Sequence, residues 1–206
     1  MLSGRLIQSF RALLNQWTRQ CAPFAPYHHQ PMSDGLRPGL LLDRDGIINE
    51  RIVDGYVTRT DEFTLCDDIV PILRWAKETQ RPIAIITNQQ GVGKGLMTEA
   101  DLTTIHDHMR HVLRHRAGVE INAIYVCTSL AQARDPRRKP QPGMILEAIH
   151  DLRLDPSQTW FLGDSRSDAE AGRAAGVLTI LVGNHSLDIA DVVVPTLAEV
   201  LSVLQG

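Results

Sequence analysis

Gly39-Leu40-Leu41-Leu42-Asp43-Arg44-Asp45-Gly46-Ile47-Ile48-Asn49 decides how this chain is read. A short apolar run stops at two carboxylates two residues apart, and a glycine follows. The pattern predicts a buried strand that delivers acids to its C-terminal end, the edge where open α/β sheets bind ligands. Residues i and i+2 of a regular strand point the same way, so Asp43 and Asp45 can serve one site if the chain turns at Gly46. One carboxylate could be a nucleophile and the other a proton donor. A lone Asp-x-Asp-Gly fits a solvated turn equally well, so the rest of the chain must separate the two readings.

Outward from this stretch the pattern repeats. Ile83-Ala84-Ile85-Ile86 reads as a second buried strand, followed by the polar, glycine-rich loop Thr87-Asn88-Gln89-Gln90-Gly91-Val92-Gly93-Lys94-Gly95. Its hydroxyl, amide and backbone N–H donors suit a phosphate, although the order of a Walker loop is absent. Thr159-Trp160-Phe161-Leu162 is another strand and also ends in acids, Gly163-Asp164-Ser165-Arg166-Ser167-Asp168. Further strands are expected over 121–126, 177–182 and 192–194. Between them fall a helix capped by Asp67 or Asp68 and ending near Gln80, and one opened by the capping box Thr98-Glu99-Ala100-Asp101. Helices are also expected over 144–152 and 168–175 and from Thr196. This alternation predicts an α/β chain, a Rossmann-like three-layer α/β/α sandwich around a mainly parallel sheet. Glu50 to Phe63, with the turn signal Asp54-Gly55-Tyr56, predicts a small flap beside the site. No second domain is needed.

Composition sets the outer limits. With 206 residues, 43% hydrophobic and 22% charged, the chain suits one globular domain with an extra segment. A net charge of −3 gives no general field for nucleic acid or anionic membrane. Cys21, Cys66 and Cys127 form no CxxC pair, so a disulfide framework is not expected and a reducing cytoplasm fits. Residues 1–36 read as a separate piece, an acid-free amphipathic helix with Arg5, Arg11 and Arg19 and then a Pro-rich linker, which fits a targeting or membrane-surface helix, a partner-binding helix or, the reading favoured, a dispensable stretch ahead of a start at Met32. The domain proper is expected over 37–206. His108, His111 and His115 share a helix face at metal-compatible spacing, but no acid or thiol completes a ligand set, so a solvated face is expected. Arg137-Arg138-Lys139-Pro140-Gln141-Pro142-Gly143 offers a fixed cationic platform for phosphate, or simply a soluble turn.

Four elements thus stand in order, each at or after the end of a strand: Asp43-Arg44-Asp45-Gly46, Thr87-Asn88, Lys139-Pro140, and Gly163-Asp164 with Asp168. Together they resemble the four motifs of the haloacid dehalogenase superfamily over residues 38–195. Asp54-Gly55-Tyr56-Val57, Thr87-Asn88-Gln89 and Arg138-Lys139-Pro140 resemble its capless branch, which includes phosphatases of heptose bisphosphate and of histidinol phosphate.

The resemblance implies a magnesium-dependent phosphomonoester hydrolase acting through an aspartyl-phosphate. Asp43 would be the nucleophile, Asp45 the acid and base, and Thr87 and Lys139 the groups that hold the phosphate. Asp43, the carbonyl of Asp45 and Asp164 would bind Mg2+, and Asp168 would orient its waters or Lys139. Asp54, Gly55, Tyr56, Asn88, Gln89 and Arg138 would contact the substrate. That substrate is expected to be a small phosphorylated metabolite, a sugar phosphate such as D-glycero-D-manno-heptose 1,7-bisphosphate, acted on by a monomer. Histidinol phosphate is the alternative, as is a non-catalytic phosphosugar-binding role; a nucleic-acid 3′-phosphatase is disfavoured by the acidic balance and scarce aromatics. Members of the branch usually carry a zinc loop before the Lys-Pro. Here its ligand positions are Cys127, Ser129, Asp135 and Arg137, so zinc is not expected, and an ion pair from Asp135 to Arg134, Arg137 or Arg138 is expected in its place.

Overall fold

The computed structural model describes residues 35–186 and 188–206. The chain divides into two units, 1–36 and 37–206. The basic helix and linker expected over 1–31 lie outside the described residues.

Six strands build the second unit: β1 (Leu40–Leu42), β2 (Ile83–Asn88), β3 (Ala123–Cys127), β4 (Trp160–Gly163), β5 (Leu178–Val182) and β6 (Val192–Val194). They form one parallel sheet in the order β3-β2-β1-β4-β5-β6. β1 is short but central, with Leu40 paired to Ile83 on one side and to Trp160 on the other. Its three leucines are fully buried, which is why it reads as a continuous apolar run rather than an alternating one. The strand order reverses between β1 and β4, and a doubly wound sheet opens a ligand crevice at that switch point. Asp43 and Asp164 stand at the C-terminal ends of those two strands.

The helices are α1 (Ile69–Glu78), α2 (Gln90–Gly93), α3 (Glu99–Ala117), α4 (Gly143–Asp151), α5 (Arg166–Ala175) and α6 (Val200–Gln205). α1 packs against α3 and α6, while α4 packs against α5, giving the two outer layers. Strand side chains alternate between these layers. Leu40, Leu42, Ile83 and Ile85 join Ile72, Met109 and Val200 in one cluster, and Phe161 lies beside Gly172 of α5 instead.

The Thr98 capping box forms as expected: Thr98 Oγ1 accepts from the Asp101 N–H at 3.1 Å, and Asp101 Oδ2 accepts from the Thr98 N–H at 2.9 Å. Asp68 occupies the N-cap of α1 but makes no side-chain capping bond. Two local expectations change. The stretch after β2 is not all loop, because Gln90–Gly93 closes a helical turn. The flap over residues 50–63 holds a 3-10 turn at Thr60–Glu62 and no strand, and is flanked by an isolated bridge between Asn49 and Leu65.

Candidate active site

Asp43 leaves β1 with its N–H still bonded to Leu162 O, at 2.8 Å. The chain then turns tightly: the N–H groups of Ile47, Ile48 and Asn49 all converge on Arg44 O, at 3.4, 2.8 and 3.1 Å. Gly46 sits at φ +94°, and a Cβ there would lie 2.1 Å from Asp164 Oδ2. Glycine is thus required twice, for the backbone and for the carboxylate that leans over it.

Lys139 is the buried cation of the site. Its Nζ lies 2.7 Å from Asp43 Oδ1, 2.6 Å from Asp168 Oδ1 and 2.9 Å from Ile86 O. Asn88 places it, donating to Lys139 O at 3.0 Å and accepting from its N–H at 3.1 Å. Asp168 is the N3 residue of α5 and closes a capping box with Ser165, whose N–H and hydroxyl both donate to Asp168 Oδ2. Both Asp168 oxygens are therefore engaged, one by Lys139 and one by Ser165. Asp168 is thereby paired with the lysine.

Burial and the charges of Asp168 and Asp45 push the Asp43 carboxyl up to about 7, against the pull of Lys139. Lys139 is buried yet held above its usual value by Asp168 and Asp43. Asp45 has the opposite surroundings. Burial raises it, but the Arg44 guanidinium, Asn49 and Gln89 outweigh that and leave it below the usual carboxylate range. Arg44 Nη2 donates to both Asp45 oxygens at 2.9 and 3.0 Å, Asn49 Nδ2 to Oδ1 at 2.9 Å and Gln89 Nε2 to Oδ2 at 2.7 Å.

Carboxylate oxygens of Asp43, Asp164 and Asp168 lie within 4.8 Å of one another, a hard-oxygen set suited to Mg2+. The Asp43 and Asp164 carboxyls are both pushed up, first by burial and against the pull of Lys139 and Arg51. Asp164 is meanwhile paired with Arg51 of the flap at 2.9 Å.

A cavity of about 640 Å³ opens over these groups. Asp43, Asp45, Asp164 and Lys139 line its floor, and Asp54, Gly55, Tyr56, Asn88 and Arg138 line its walls, so most expected site residues converge. Three of them do not line it: Asp168, Thr87 and Gln89. Thr87 is buried and accepts from Gln89 Nε2 at 2.8 Å; Gln89 is fully buried beneath Asp45, placed to hold that carboxylate rather than to touch substrate. Arg51, to which sequence reasoning gave no role, and Gln90 and Lys94, read only as part of the glycine-rich loop, also line the cavity. Gln90 Nε2 and Lys94 Nζ donate to Tyr56 Oη at 2.9 and 3.0 Å, tying the flap to the turn after β2. The Gly-rich loop was the available signal for both.

The loop from Cys127 to Lys139 corrects one expectation. Asp135 makes no ion pair with Arg134, Arg137 or Arg138 among the described residues. Its Oδ2 accepts from Ser129 Oγ at 2.5 Å and lies 3.6 Å from Cys127 Sγ, while Oδ1 accepts from the Arg137 N–H at 2.8 Å. These short-range donors saturate the carboxylate, and the Arg137 guanidinium turns instead to Glu147 of α4, with Nε–Oε1 at 2.9 Å and Nη2–Oε2 at 3.0 Å. Of the histidines, His108 packs edge-on against Phe63, whereas His111 and His115 are exposed.

A family model described as haloacid dehalogenase-like hydrolase matches residues 17–176. The chain is 38% identical to a D-glycero-alpha-D-manno-heptose-1,7-bisphosphate 7-phosphatase of Burkholderia mallei over 150 residues, covering 69% of this chain and 78% of the relative. It is 36% identical to a D-glycero-D-manno-heptose-1,7-bisphosphate 7-phosphatase of Chlorobaculum tepidum over 155 residues, 69% of this chain and 77% of that one. Among solved structures, a D,D-heptose 1,7-bisphosphate phosphatase from B. bronchiseptica complexed with magnesium and phosphate superposes with a TM-score of 0.72 at 28% identity, covering 81% of this chain and 98% of that chain. No helix among the described residues is long and apolar enough to cross a membrane.

Proposed function

The chain belongs to the haloacid dehalogenase-like hydrolase family, and from that membership we propose that it hydrolyses a phosphomonoester by in-line transfer to Asp43. The observation that carries the reading is the Asp43–Lys139–Asp168 triad beside Asp164 at the sheet's switch point. Asp43 is aligned by Lys139, which also offers positive charge to the phosphate oxygens. Asp45 rests ionised, the form of a base. It takes a proton from the monoanionic ester, passes it to the leaving oxygen as the P–O bond breaks and the Asp43 O–P bond forms, then accepts one from the water that attacks the aspartyl-phosphate. Asp43, Asp164 and the main-chain carbonyl of Asp45 would hold Mg2+, which supplies the charge neutralisation that lets an anionic nucleophile meet an anionic phosphate. Convergence of all these groups in one cavity favours an enzyme over a binding protein.

The substrate proposed is a sugar phosphate, with D-glycero-D-manno-heptose 1,7-bisphosphate first, because the relatives at 36–38% identity carry that name. Arg138 and Lys94 at the cavity wall suit a second anionic group. We further propose that the protein is a cytoplasmic monomer and that the loop before Lys139 holds no zinc. Cys127 is the one thiol there, and Asp135 is already hydrogen-bonded by the loop itself. Hydrolysis of the bisphosphate, histidinol phosphate and a generic aryl phosphate, with and without Mg2+, tests the reading. Mg2+-dependent release of phosphate supports it; no release from any of the three sinks it.

A further inference from the structure

Arg44 is a fully buried cation one residue from the nucleophile, and the reaction as described gives it no task. Neighbouring side chains on a strand point to opposite faces. The turn that gathers three N–H groups onto Arg44 O breaks that alternation and folds the guanidinium back onto Asp45. Nε and Nη2 both end on Asp45, at 3.2 Å for Nε. The remaining nitrogen, Nη1, lies 3.4 Å from Nε2 of His106.

A guanidinium only donates, so His106 Nε2 must present its lone pair, which fixes the ring as neutral with its proton on Nδ1. Burial and the Arg44 charge agree, lowering the imidazole to about 4. His106 is itself immobilised: it is buried on α3, beside Leu102 and Met109 at i−4 and i+3. A chain of contacts therefore runs from the helix layer through imidazole and guanidinium to a carboxylate facing the cavity.

We propose that His106 and Arg44 are positioning residues for Asp45, fixing the carboxyl in the direction from which it hands its proton to the leaving oxygen. The inference rests on the phosphatase reading and adds two residues to it. Neither touches the substrate. Their loss weakens the step in which the P–O bond breaks and the leaving oxygen takes the Asp45 proton, and it does so in proportion to how much that oxygen needs a proton. An alkoxide needs it; p-nitrophenolate leaves without one.

The test compares kcat/KM, which runs from free substrate through this step and excludes hydrolysis of the aspartyl-phosphate, on glycerol phosphate and on p-nitrophenyl phosphate with saturating Mg2+. General acids contribute on the order of a hundredfold or more, so His106→Phe, which keeps a ring and loses the acceptor, should lower the alkyl ester about thirtyfold and the aryl ester about threefold or less. His106→Gln, whose amide oxygen can accept from Arg44, should restore the alkyl-to-aryl ratio to within about twofold of wild type. If His106→Phe does not fold, His106→Leu, apolar like its neighbours, is read by the same ratio. Equal losses on both esters, or a ratio that His106→Gln does not restore, overturn the inference alone. Wild-type protein that cleaves neither ester overturns the phosphatase reading and this inference with it.

Discussion

Two segments bring charge to the same cavity, and they are held in place by different means. The tip of β1, residues 43–49, is fixed by its own backbone: one carbonyl accepts three N–H groups, and a glycine at positive φ admits Asp164. The loop from Cys127 to Lys139 relies on side chains, with Asp135 gathering Ser129, Cys127 and the Arg137 N–H, and Glu147 anchoring Arg137. The backbone-held segment leaves its side chains to the site, and there Asp43, Asp45 and the space-limited Gly46 have no substitute. A side-chain-held one can exchange its fastening for another, provided Arg138 and Lys139 end in the same place.

Substitutions in the first segment should therefore be the severe ones. Asp43→Asn removes the nucleophile at nearly constant volume, and kcat should fall by several powers of ten, on the order of the losses seen for such groups; turnover within tenfold of wild type would contradict the assignment. His106 sharpens the contrast through pH. Its folded value of about 4 lies below the ordinary 6.5, so the unfolded chain binds more protons between those values. The stability it contributes is present above pH 6.5 and is lost as pH falls toward 4, about 3 kcal/mol in full. The Asp43 carboxyl, raised to about 7, titrates in the opposite sense over the same range, so the histidine is read as a difference: on going from pH 7 to 5, urea-unfolding stability should fall by roughly 2 kcal/mol more in wild type than in His106→Gln.

Gly46→Ala should weaken Mg2+ binding ten- to hundredfold, by order of magnitude, since a methyl cannot share space with Asp164. Titration calorimetry with Mg2+ alone reads this, and unchanged affinity would show that Asp164 is free to move aside. The smallest effects belong to the loop. Glu147→Gln breaks a half-exposed pair, costing about 1 kcal/mol or less, and should raise KM a few-fold while sparing kcat. Asp135→Asn, which keeps an oxygen for the Arg137 N–H but replaces the one that accepts from Ser129 and faces Cys127 by a donor, should exceed it; a KM unchanged in both variants would mean the loop needs no fastening.

These contrasts also explain what was legible beforehand. Apolar runs ending in acids gave the strands, the parallel sheet and the edge that carries Asp43, Asp45 and Asp164, because burial and strand direction are written in local pattern, whereas Lys139 was reached through the resemblance of the four motifs. Gln89 and His106 were misplaced or missed because their work depends on which side of a neighbouring element they face. His106 carried one usable signal, its spacing with Leu102 and Met109 on the buried face of α3. The Arg137–Glu147 pair joins a loop to a helix, and nothing in either segment read alone specifies it.

The contact between Lys139 and Asp43 closes a chain separation of 96 residues, and its third member, Asp168, lies further on still. A partly folded chain that lacks the β1–β4 pairing cannot neutralise these charges, since Asp43 follows β1 and Asp168 opens the helix that follows β4. Catalytic competence is thereby a late event in folding, and the return of activity after denaturation would clock the last long-range closure of the sheet rather than the first appearance of its helices.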